Sequence, residues 1–335
     1  MPPFVSIIVP CYNEQATILQ LLDAVLAQTY PRSQMEIIIA DAFSRDSTRE
    51  RIELFQRDYP DFPLRIVDNE RRIIPAALNL AIRAARGDII VRLDAHSRPN
   101  PDYVERCVQA LEQGKGLNVG GVWEIHPGAR GWIAESIASA AAHPLGVGDA
   151  LYRLNPEPGA VDTVPFGAFR RELIDQISGF DEALLSNEDY EFNARVRCSG
   201  GVVWLDPQIR STYFARASFR ELIRQYGRYG FWKWRMLKRY PGTLRWRQAL
   251  PPLFTGSLIV WIVLSFWFSF ARGLLGVEII LYLMVLIAAA VRVALLNRKP
   301  FLVIGLPLSI LIMHLSWGGG FLFSLISSPF IPGHG

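Results

Sequence analysis

Apolar runs alternate with amphipathic stretches over the first hundred residues. The first run, residues 5–9, is apolar apart from Ser6, a pattern typical of a strand covered on both faces. Apolar residues at helical spacing follow it from Ile18 to Leu26. The alternation continues with strands predicted at 36–40, 64–67 and 88–93 and helices at 48–59 and 75–85. Three consecutive strand-helix-strand units predict an α/β fold with a parallel sheet and right-handed crossovers.

After residue 94 the pattern becomes mixed, which predicts a sheet that is mostly parallel and flanked by helices. Strands are expected at 118–125 and 202–205, a Gly- and Pro-rich loop at 146–162, and helices at 101–112, 132–142, 169–176 and 188–197. A helix over 219–237 then carries a basic and aromatic stripe: Trp232, Trp234, Arg235, Lys238 and Arg239. Such a stripe predicts an interfacial amphipathic helix lying on anionic lipid.

Half of all 335 residues are hydrophobic and mean hydropathy is +0.19, and the apolar excess is concentrated in the last quarter of the chain, from Phe254 to Ile331. Transmembrane helices are predicted at 253–271, 277–296 and 301–325, each about 20 residues long. A buried soluble helix is the alternative for the middle segment. The predicted division is therefore a catalytic domain over 1–218, an interfacial region over 219–250 and a transmembrane domain over 251–335.

Orientation follows from the charges and from the N-terminus. Arg298 and Lys299 lie between the second and third predicted spans, and the positive-inside rule places them in the cytosol together with the N-terminal domain. Met1 is soon followed by a strand, with no basic region or cleavable apolar segment, so no signal peptide is expected. We therefore expect a multi-pass protein of the inner (plasma) membrane whose catalytic domain is cytosolic.

Two large classes of ligand are disfavoured. The net charge is only +4, and no basic block with interleaved base-stacking aromatic residues lies on an identifiable nucleic-acid-binding module, so nucleic acid is disfavoured as a partner. No G-x-G-x-x-G follows the first strand and no G-x-x-x-x-G-K-[ST] occurs, which disfavours dinucleotide and P-loop chemistry.

The sequence Asp94-Ala95-His96 comes at the end of the apolar run 89–93. Because side chains alternate along a strand, Asp94 and His96 are expected to face the same side. At the carboxyl end of a strand such a pair can hold a divalent cation, which in turn implies a phosphorylated substrate. A turn or a helix cap is the alternative role for this short motif.

An ordered set of motifs resembles the family 2 glycosyltransferases with the GT-A fold. The set comprises Ile7-Ile8-Val9-Pro10-Cys11-Tyr12-Asn13-Glu14, Asp41, Asp94-Ala95-His96 and Asn187-Glu188-Asp189. The resemblance covers roughly residues 5–238 and is strongest to membrane-associated bacterial enzymes of exopolysaccharide or lipid-linked glycan synthesis, including succinoglycan-type glucosyltransferases. It implies a Rossmann-like GT-A domain and inverting transfer of a sugar from a nucleoside diphosphate, with a UDP-sugar favoured.

The resemblance assigns roles on the donor side. Asp41 corresponds to the acid that recognises uracil, with a turn or helix cap as its alternative, and Glu14 likewise is either a donor ligand or a cap of its own helix. His96 stands where most relatives carry a second carboxylate, which predicts Mn²⁺, with weaker support by Mg²⁺, held by Asp94 and His96. The full set implied for the nucleotide-sugar is Pro10, Tyr12, Glu14, Asp41, Asp94, Ala95 and Arg228.

On the acceptor side, Asp189 is the expected general base, with Glu188 beside it. The alternative is that these acids only stabilise the start of a helix. Gly167 lies in a loop that resembles the acceptor loop of the family. Gln225-Tyr226-Gly227-Arg228-Tyr229 resembles the Gln-x-x-Arg-Trp motif of processive synthases, so Gln225 and Tyr229 are assigned to the acceptor and Arg228 to the diphosphate.

The expected substrate partners are a nucleoside-diphosphate sugar and a lipid-linked or glycan acceptor, with membrane lipid beside them and oligomers left open. Three spans are few for a polymer channel within one chain, which favours single transfer. Two alternatives stay open: a processive polysaccharide synthase, and a membrane scaffold or transport subunit that binds nucleotide-sugar without turnover. A nucleotidyltransferase is disfavoured by the pair Glu188-Asp189.

Overall fold

The computed structural model describes residues 2–154 and 156–327. It divides into two compact units, one drawn from Met1–Glu124 and Asn155–Tyr213, the other from Ile125–Leu154 and Phe214–Gly335. The predicted domains 1–218, 219–250 and 251–335 remain a prediction.

A mixed sheet, nine-stranded over the described residues, dominates the first unit, and its order is β3-β2-β1-β4-β8-β6-β9-β5, with β7 paired to β9. Its strands are β1 (Val5–Cys11), β2 (Met35–Asp41), β3 (Leu64–Asp68), β4 (Ile89–Arg92), β5 (Arg98–Pro99), β6 (Asn118–Pro127), β7 (Gly159–Ala160), β8 (Ala168–Arg170) and β9 (Val203–Ala215). Strands β1 to β4 are parallel neighbours, whereas β8 is antiparallel to both β4 and β6. The prediction of a mixed α/β sheet flanked by helices is confirmed.

The parallel half forms where the predicted apolar runs lie. Ile7, Ile8 and Val9 of β1 are fully buried, as expected for a strand covered by helices on both faces. The helices of this unit are α1 (Ile18–Leu26), α2 (Thr48–Asp58), α3 (Ile74–Ala84), α4 (Tyr103–Glu112), α7 (Leu173–Ile177) and α8 (Glu188–Cys198).

One predicted helix of this unit is wrong over its first residues. The expected helix 169–176 is instead strand β8 followed by the short helix α7. Phe169 pairs with Ile90 of β4 and with Asn118 of β6, so two neighbouring strands determine its backbone conformation. Such pairing overrides local helical periodicity.

The buried acid Glu36 connects the amino ends of the parallel strands through hydrogen bonds and an ion pair. Glu36 of β2 accepts hydrogen bonds from the Ser6 hydroxyl (2.6 Å) and the Arg86 backbone N–H (2.7 Å), and its second oxygen pairs with Arg65 at 3.0 Å. Burial acts to raise the pKa of Glu36, but the hydrogen bonds from Ser6 and Arg86 outweigh it, and the pKa is lowered. The carboxylate is therefore ionised at neutral pH.

The second unit is helical. It contains α5 (Trp132–Ala141), α6 (Pro144–Val147), α9 (Phe219–Arg239), α10 (Trp246–Ser265), α11 (Ser269–Asn297) and α12 (Leu302–Ser327). Among the described residues three helices, α10 to α12, are long and apolar enough to cross a membrane.

The three long helices have other bounds than the segments predicted from hydropathy. Helix α10 begins at Trp246, and Pro251 and Pro252 lie inside it rather than before it; α11 already begins at Ser269. Hydropathy locates an apolar stretch, whereas the ends of a helix depend on local hydrogen bonds. Residues that precede the apolar stretch can also make such bonds and extend the helix. Here the Arg245 backbone N–H donates to the Gln248 side chain at 3.2 Å.

Helix α9 packs along α12 through glycine. A Cβ atom on Gly230 would lie only 2.0 Å from the Trp317 carbonyl oxygen, and one on Gly320 would lie 2.2 Å from the Gly227 carbonyl oxygen. The buried face of α9 also carries Lys233, whose ammonium donates to the Thr243 carbonyl at 3.0 Å. The lipid contact predicted for the basic and aromatic stripe of α9 stays a prediction.

Candidate active site

The carboxyl ends of the parallel strands bring acids to one edge of the sheet. Cys11 of β1 is in register with Asp41 of β2, and Asp41 is in register with Asp68 of β3. Ligands of open α/β sheets bind at this edge. The position predicted for Asp41 is therefore the one observed.

Asp41 is completely buried and already hydrogen-bonded. It accepts from the Ser44 hydroxyl and the Arg49 Nε–H, both at 2.5 Å, and from the Ser44 backbone N–H at 3.1 Å. Arg49 also pairs with Asp68, and the hydrogen bonds to Asp68 and Asp41 raise the pKa of Arg49. These contacts agree with the turn-cap alternative for Asp41, and its recognition of a base remains a prediction.

The end of β1 and the loop after it carry three of the predicted donor residues. Pro10 lies one residue before the end of the strand, in register with Ala40, and Tyr12 in the loop is 48% exposed. The Glu14 carboxylate accepts a hydrogen bond from the Thr17 hydroxyl at 2.5 Å, and its other oxygen lies 2.9 Å from Nδ1 of His96. Thr17 is the N-cap residue of α1, so Glu14 contacts both its own helix start and the Asp94-Ala95-His96 segment.

Asp94, Ala95 and His96 lie in a turn beyond β4, not on the strand. The strand ends at Arg92, and the Asp94 carbonyl accepts from the backbone N–H of Ser97 at 2.9 Å and from its hydroxyl at 2.7 Å. Strand alternation therefore does not orient this segment, and that part of the prediction is wrong. Ala95 is buried, the Asp94 carboxylate faces Arg92, and His96 faces Glu14.

Arg92 is the centre of a cluster of acids that the sequence analysis missed. Its side chain is only 3% exposed, and one of its terminal nitrogens lies 3.1 Å from both the Asp94 and the Glu188 carboxylates. The other terminal nitrogen pairs with Asp189. Burial opposes the charged form, but Asp94 and Glu188 outweigh it and raise the pKa of Arg92. The guanidinium thus joins the predicted donor-side acid to the predicted catalytic acids.

Helix α8 delivers Glu188 and Asp189 in its first turn. Its N-cap residue, Asn187, has a φ of +68°, a left-handed conformation that Asn tolerates. One turn further on, Asn193 bonds with Asn118 of β6 (2.6 Å) and donates to the Thr163 hydroxyl at 3.0 Å. The helix is thereby held against the sheet at one end of the acid cluster.

Gly167 has a structural reason to be glycine. Its φ is +68°, and a Cβ atom there would lie 2.6 Å from Oδ1 of Asn118. Its carbonyl accepts the backbone N–H of Arg92 at 3.0 Å, which puts Gly167 beside the acid cluster. Contact with an acceptor stays a prediction.

The three predicted residues of α9 belong to the second unit. Gln225 is buried and donates to the Tyr229 hydroxyl at 3.0 Å, and Tyr229 meets the Trp317 ring edge-on. Arg228 is exposed. Their contacts with acceptor and diphosphate stay predictions.

The residues predicted to hold a divalent cation have suitable donor atoms. Asp94 and His96 offer oxygen and nitrogen, a mixture that suits Mn²⁺ better than Mg²⁺. Within 2–154 and 156–327, no group of three or more His, Cys, Asp or Glu side chains is arranged for a metal ion. Binding of a cation by Asp94 and His96 therefore remains a prediction.

Comparisons with known proteins agree with the fold. Over 95% of this chain and 87% of the other, the architecture is similar to the structure of a mannosyltransferase from Pyrobaculum calidifontis in complex with GDP-Man and Mn²⁺, with a TM-score of 0.63 and 22% identity. The fold is that of a GT-A glycosyltransferase. A model described as "Glycosyl transferase family 2" matches residues 6–178, and the chain belongs to this family.

Two curated relatives match almost the whole chain. A protein of Methanococcus voltae named dolichyl N-acetyl-alpha-D-glucosaminyl phosphate 3-beta-D-2,3-diacetamido-2,3-dideoxy-beta-D-glucuronosyltransferase is 27% identical over 96% of this chain and 97% of its own length. The succinoglycan biosynthesis protein ExoA of Rhizobium meliloti is 27% identical over 94% of this chain and 93% of its own length.

Proposed function

We propose that this glycosyltransferase moves a sugar, with inversion, from a nucleoside-diphosphate sugar to a lipid-linked or glycan acceptor at the cytosolic face of the inner (plasma) membrane. A UDP-sugar is the favoured donor. The observation that carries the proposal is the cluster of Asp94, Glu188 and Asp189 around Arg92 near the carboxyl ends of the parallel strands.

Asp189 acts as the general base. The acceptor hydroxyl oxygen attacks the anomeric carbon, the bond from that carbon to the diphosphate oxygen breaks, and the hydroxyl proton passes to the Asp189 carboxylate. Inversion requires the attack to come from the face opposite the leaving diphosphate. The 27% exposure of the Asp189 side chain leaves it accessible to an acceptor.

The donor lies on the other side of Arg92, against Asp94 and the loop that carries Tyr12 and Glu14. A Mn²⁺ ion held by Asp94 and His96, with Mg²⁺ as a weaker substitute, would supply positive charge to the leaving diphosphate. In this proposal Ala95 and Pro10 shape the donor site and Gly167 contacts the acceptor. The proposed roles of Arg228 at the diphosphate and of Gln225 and Tyr229 at the acceptor rest on the resemblance of residues 225–229 to the Gln-x-x-Arg-Trp motif.

An acceptor held at a lipid surface is supported by two facts. Within residues 2–154 and 156–327, three helices are long and apolar enough to cross a membrane, and the name of the M. voltae relative specifies a dolichyl-linked sugar phosphate. The R. meliloti relative is named for exopolysaccharide synthesis. Single transfer is proposed over polymerisation, because three spans are few for a channel within one chain.

A panel of donors tests the proposal. The full chain in detergent is incubated with UDP-glucose, UDP-galactose, UDP-N-acetylhexosamines or GDP-mannose, with polyprenyl-linked sugar phosphates as acceptors, and nucleoside diphosphate release is measured with Mn²⁺, with Mg²⁺ and with chelator. We expect one UDP-sugar to give release that needs the acceptor and is fastest with Mn²⁺. Donor binding without release by any member would favour the non-catalytic scaffold instead, and a ladder of products would favour a processive synthase.

A further inference from the structure

Arg92 makes an unusual set of contacts for a residue on a buried strand. It ends the run Ile89-Ile90-Val91-Arg92, whose side chains are otherwise apolar and completely buried. Its guanidinium pairs with acids from two segments that are far apart in sequence: Asp94 in the turn after β4, and Glu188 and Asp189 at the start of α8. One cation therefore connects three carboxylates across 95 positions of sequence.

A purely structural buried arginine does not need so many acids. A buried charge requires a partner and hydrogen bonds, and one carboxylate supplies the counter-charge. Arg195 of α8 gives the comparison within this chain, because it pairs with Glu191 and donates to the carbonyls of Ile177, Ser178 and Gly179. The three acids around Arg92 exceed what neutralising it requires, which points to a role for the cluster itself.

The backbone beneath Arg92 is held on both sides. Its N–H donates to the Gly167 carbonyl at 3.0 Å, and its strand pairs with β1 through the register of Ile8 with Arg92. The guanidinium is planar, and its terminal nitrogens lie in a fixed fork: one donates to Asp94 and Glu188, and the other forms an ion pair with Asp189. The position of this fork therefore sets where the three carboxylates lie. A lysine ammonium would keep the charge and lose this fork.

We propose, resting on the proposed function, that Arg92 is a positioning residue, whose guanidinium holds the base Asp189 in a fixed place relative to the donor-side acid Asp94. Arg92 acts through these carboxylates and not on the substrate. In Arg92→Lys the ammonium keeps a positive charge near Asp94, two residues further along, so the donor should still bind. Loss of the fork should misplace Asp189 and slow transfer. Displacement of a reacting group by about 1 Å can cost about 100-fold in rate.

The first test is Arg92→Lys in the full-length protein, with acceptor-dependent release of nucleoside diphosphate as the assay. We expect kcat to fall about 10- to 100-fold, with donor KM and calorimetric donor Kd changed less than about threefold. Arg65→Lys is the matched control, because Arg65 also pairs with a buried acid, Glu36, at the amino end of the strands. It should leave kcat at the wild-type value.

The second test asks whether Arg92 acts through Asp189. In an Asp189→Asn background, adding Arg92→Lys should change the residual kcat less than about threefold, because residues that act as a unit have non-additive effects. Thermal unfolding of each variant in detergent identifies any that is not folded. Arg92→Lys preserves the buried charge, so a lower kcat in a folded variant reports the loss of the guanidinium fork.

The outcomes separate the two proposals. A wild-type protein that releases no nucleoside diphosphate overturns the proposed function and this inference with it. A working wild-type enzyme whose Arg92→Lys variant keeps its kcat, or loses donor affinity as much as kcat, overturns only the positioning role. A double variant whose loss of kcat equals the product of the two single losses would also overturn the positioning role.

Discussion

Nδ1 of His96 lies 2.9 Å from Oε1 of Glu14, so the turn after β4 meets the loop after β1 through an imidazole and a carboxylate. His96 is 48% exposed and Glu14 is 23% exposed, which leaves the pair accessible at the carboxyl edge of the sheet. A carboxylate that accepts from one imidazole nitrogen orients the ring and favours the other nitrogen as a ligand. Glu14 thus has a defined task if His96 binds a cation.

We predict that His96→Ala raises the Mn²⁺ concentration needed for half-maximal activity by about 10- to 100-fold, and that Glu14→Gln raises it less. The reason is that His96→Ala removes a ligand atom, whereas Glu14→Gln changes only the contact that orients the imidazole. Titration of nucleoside diphosphate release with Mn²⁺ and with Mg²⁺ measures the effect.

His126→Ala is the control for that prediction, because His126 is exposed and lies near the Phe214 ring in the second unit. Equal wild-type rates with Mg²⁺ and Mn²⁺, together with an unimpaired His96→Ala variant, would refute the ligand role of His96.

The lowered pKa of Glu36 implies that the fold loses stability at acid pH. Its pKa is lowered in the folded chain, so its ionised form stabilises the fold above the unfolded pKa of about 4.3, and this contribution is lost as the pH falls through the folded pKa. We expect Glu36→Gln to lower the free energy of unfolding by about 1–3 kcal/mol at pH 7. Its stability should also depend less than that of wild type on pH below about 4.3.

Chemical unfolding at pH 7 and at several acid values measures both effects. Glu53→Gln is the matched control, since Glu53 is an exposed acid on α2. A Glu36→Gln variant with the wild-type pH dependence would show that other acids set the acid sensitivity.

Close packing of α9 on α12 gives a prediction for the second unit. Gly230→Ala would place a Cβ atom 2.0 Å from the Trp317 carbonyl oxygen, which forces the helices apart, and overpacking of this kind costs about 1–3 kcal/mol. The thermal unfolding midpoint in detergent should therefore fall. Gly319→Ala is the control, because a Cβ atom there has no neighbour within 4 Å. Equal midpoints for the two variants would contradict the packing.

The sequence predicted the parallel half of the fold well, because Ile7, Ile8 and Val9 belong to an apolar run that only a strand buried on both faces explains. Asp41 and Asp94 were placed near the carboxyl edge by the same logic. Phe169 was assigned to a helix because its local pattern is helical, whereas pairing with two strands decides its conformation. Pairing partners distant in sequence are not visible in a single local pattern.

The charge of Arg92 within an apolar run is a sequence signal that could have predicted the acid cluster. A charged residue inside the run 89–93 is rare on a buried strand unless it is paired. Its presence therefore implied acids nearby, although nothing in the sequence said that Glu188 and Asp189 were two of them. Likewise, alternation along β4 suggested that Asp94 and His96 share a face, but the strand stops at Arg92 and a turn orients both.

The most direct test of the central claim is the rate of acceptor-dependent nucleoside diphosphate release by Asp189→Asn. Asp175→Asn, a change at an exposed acid of α7, serves as its control. The account predicts that kcat of Asp189→Asn falls by about 10²- to 10⁴-fold, because the acceptor hydroxyl loses its base, while the calorimetric donor Kd stays within about threefold of wild type and Asp175→Asn keeps full activity. A folded Asp189→Asn protein that binds donor and transfers sugar at nearly the wild-type rate would contradict it.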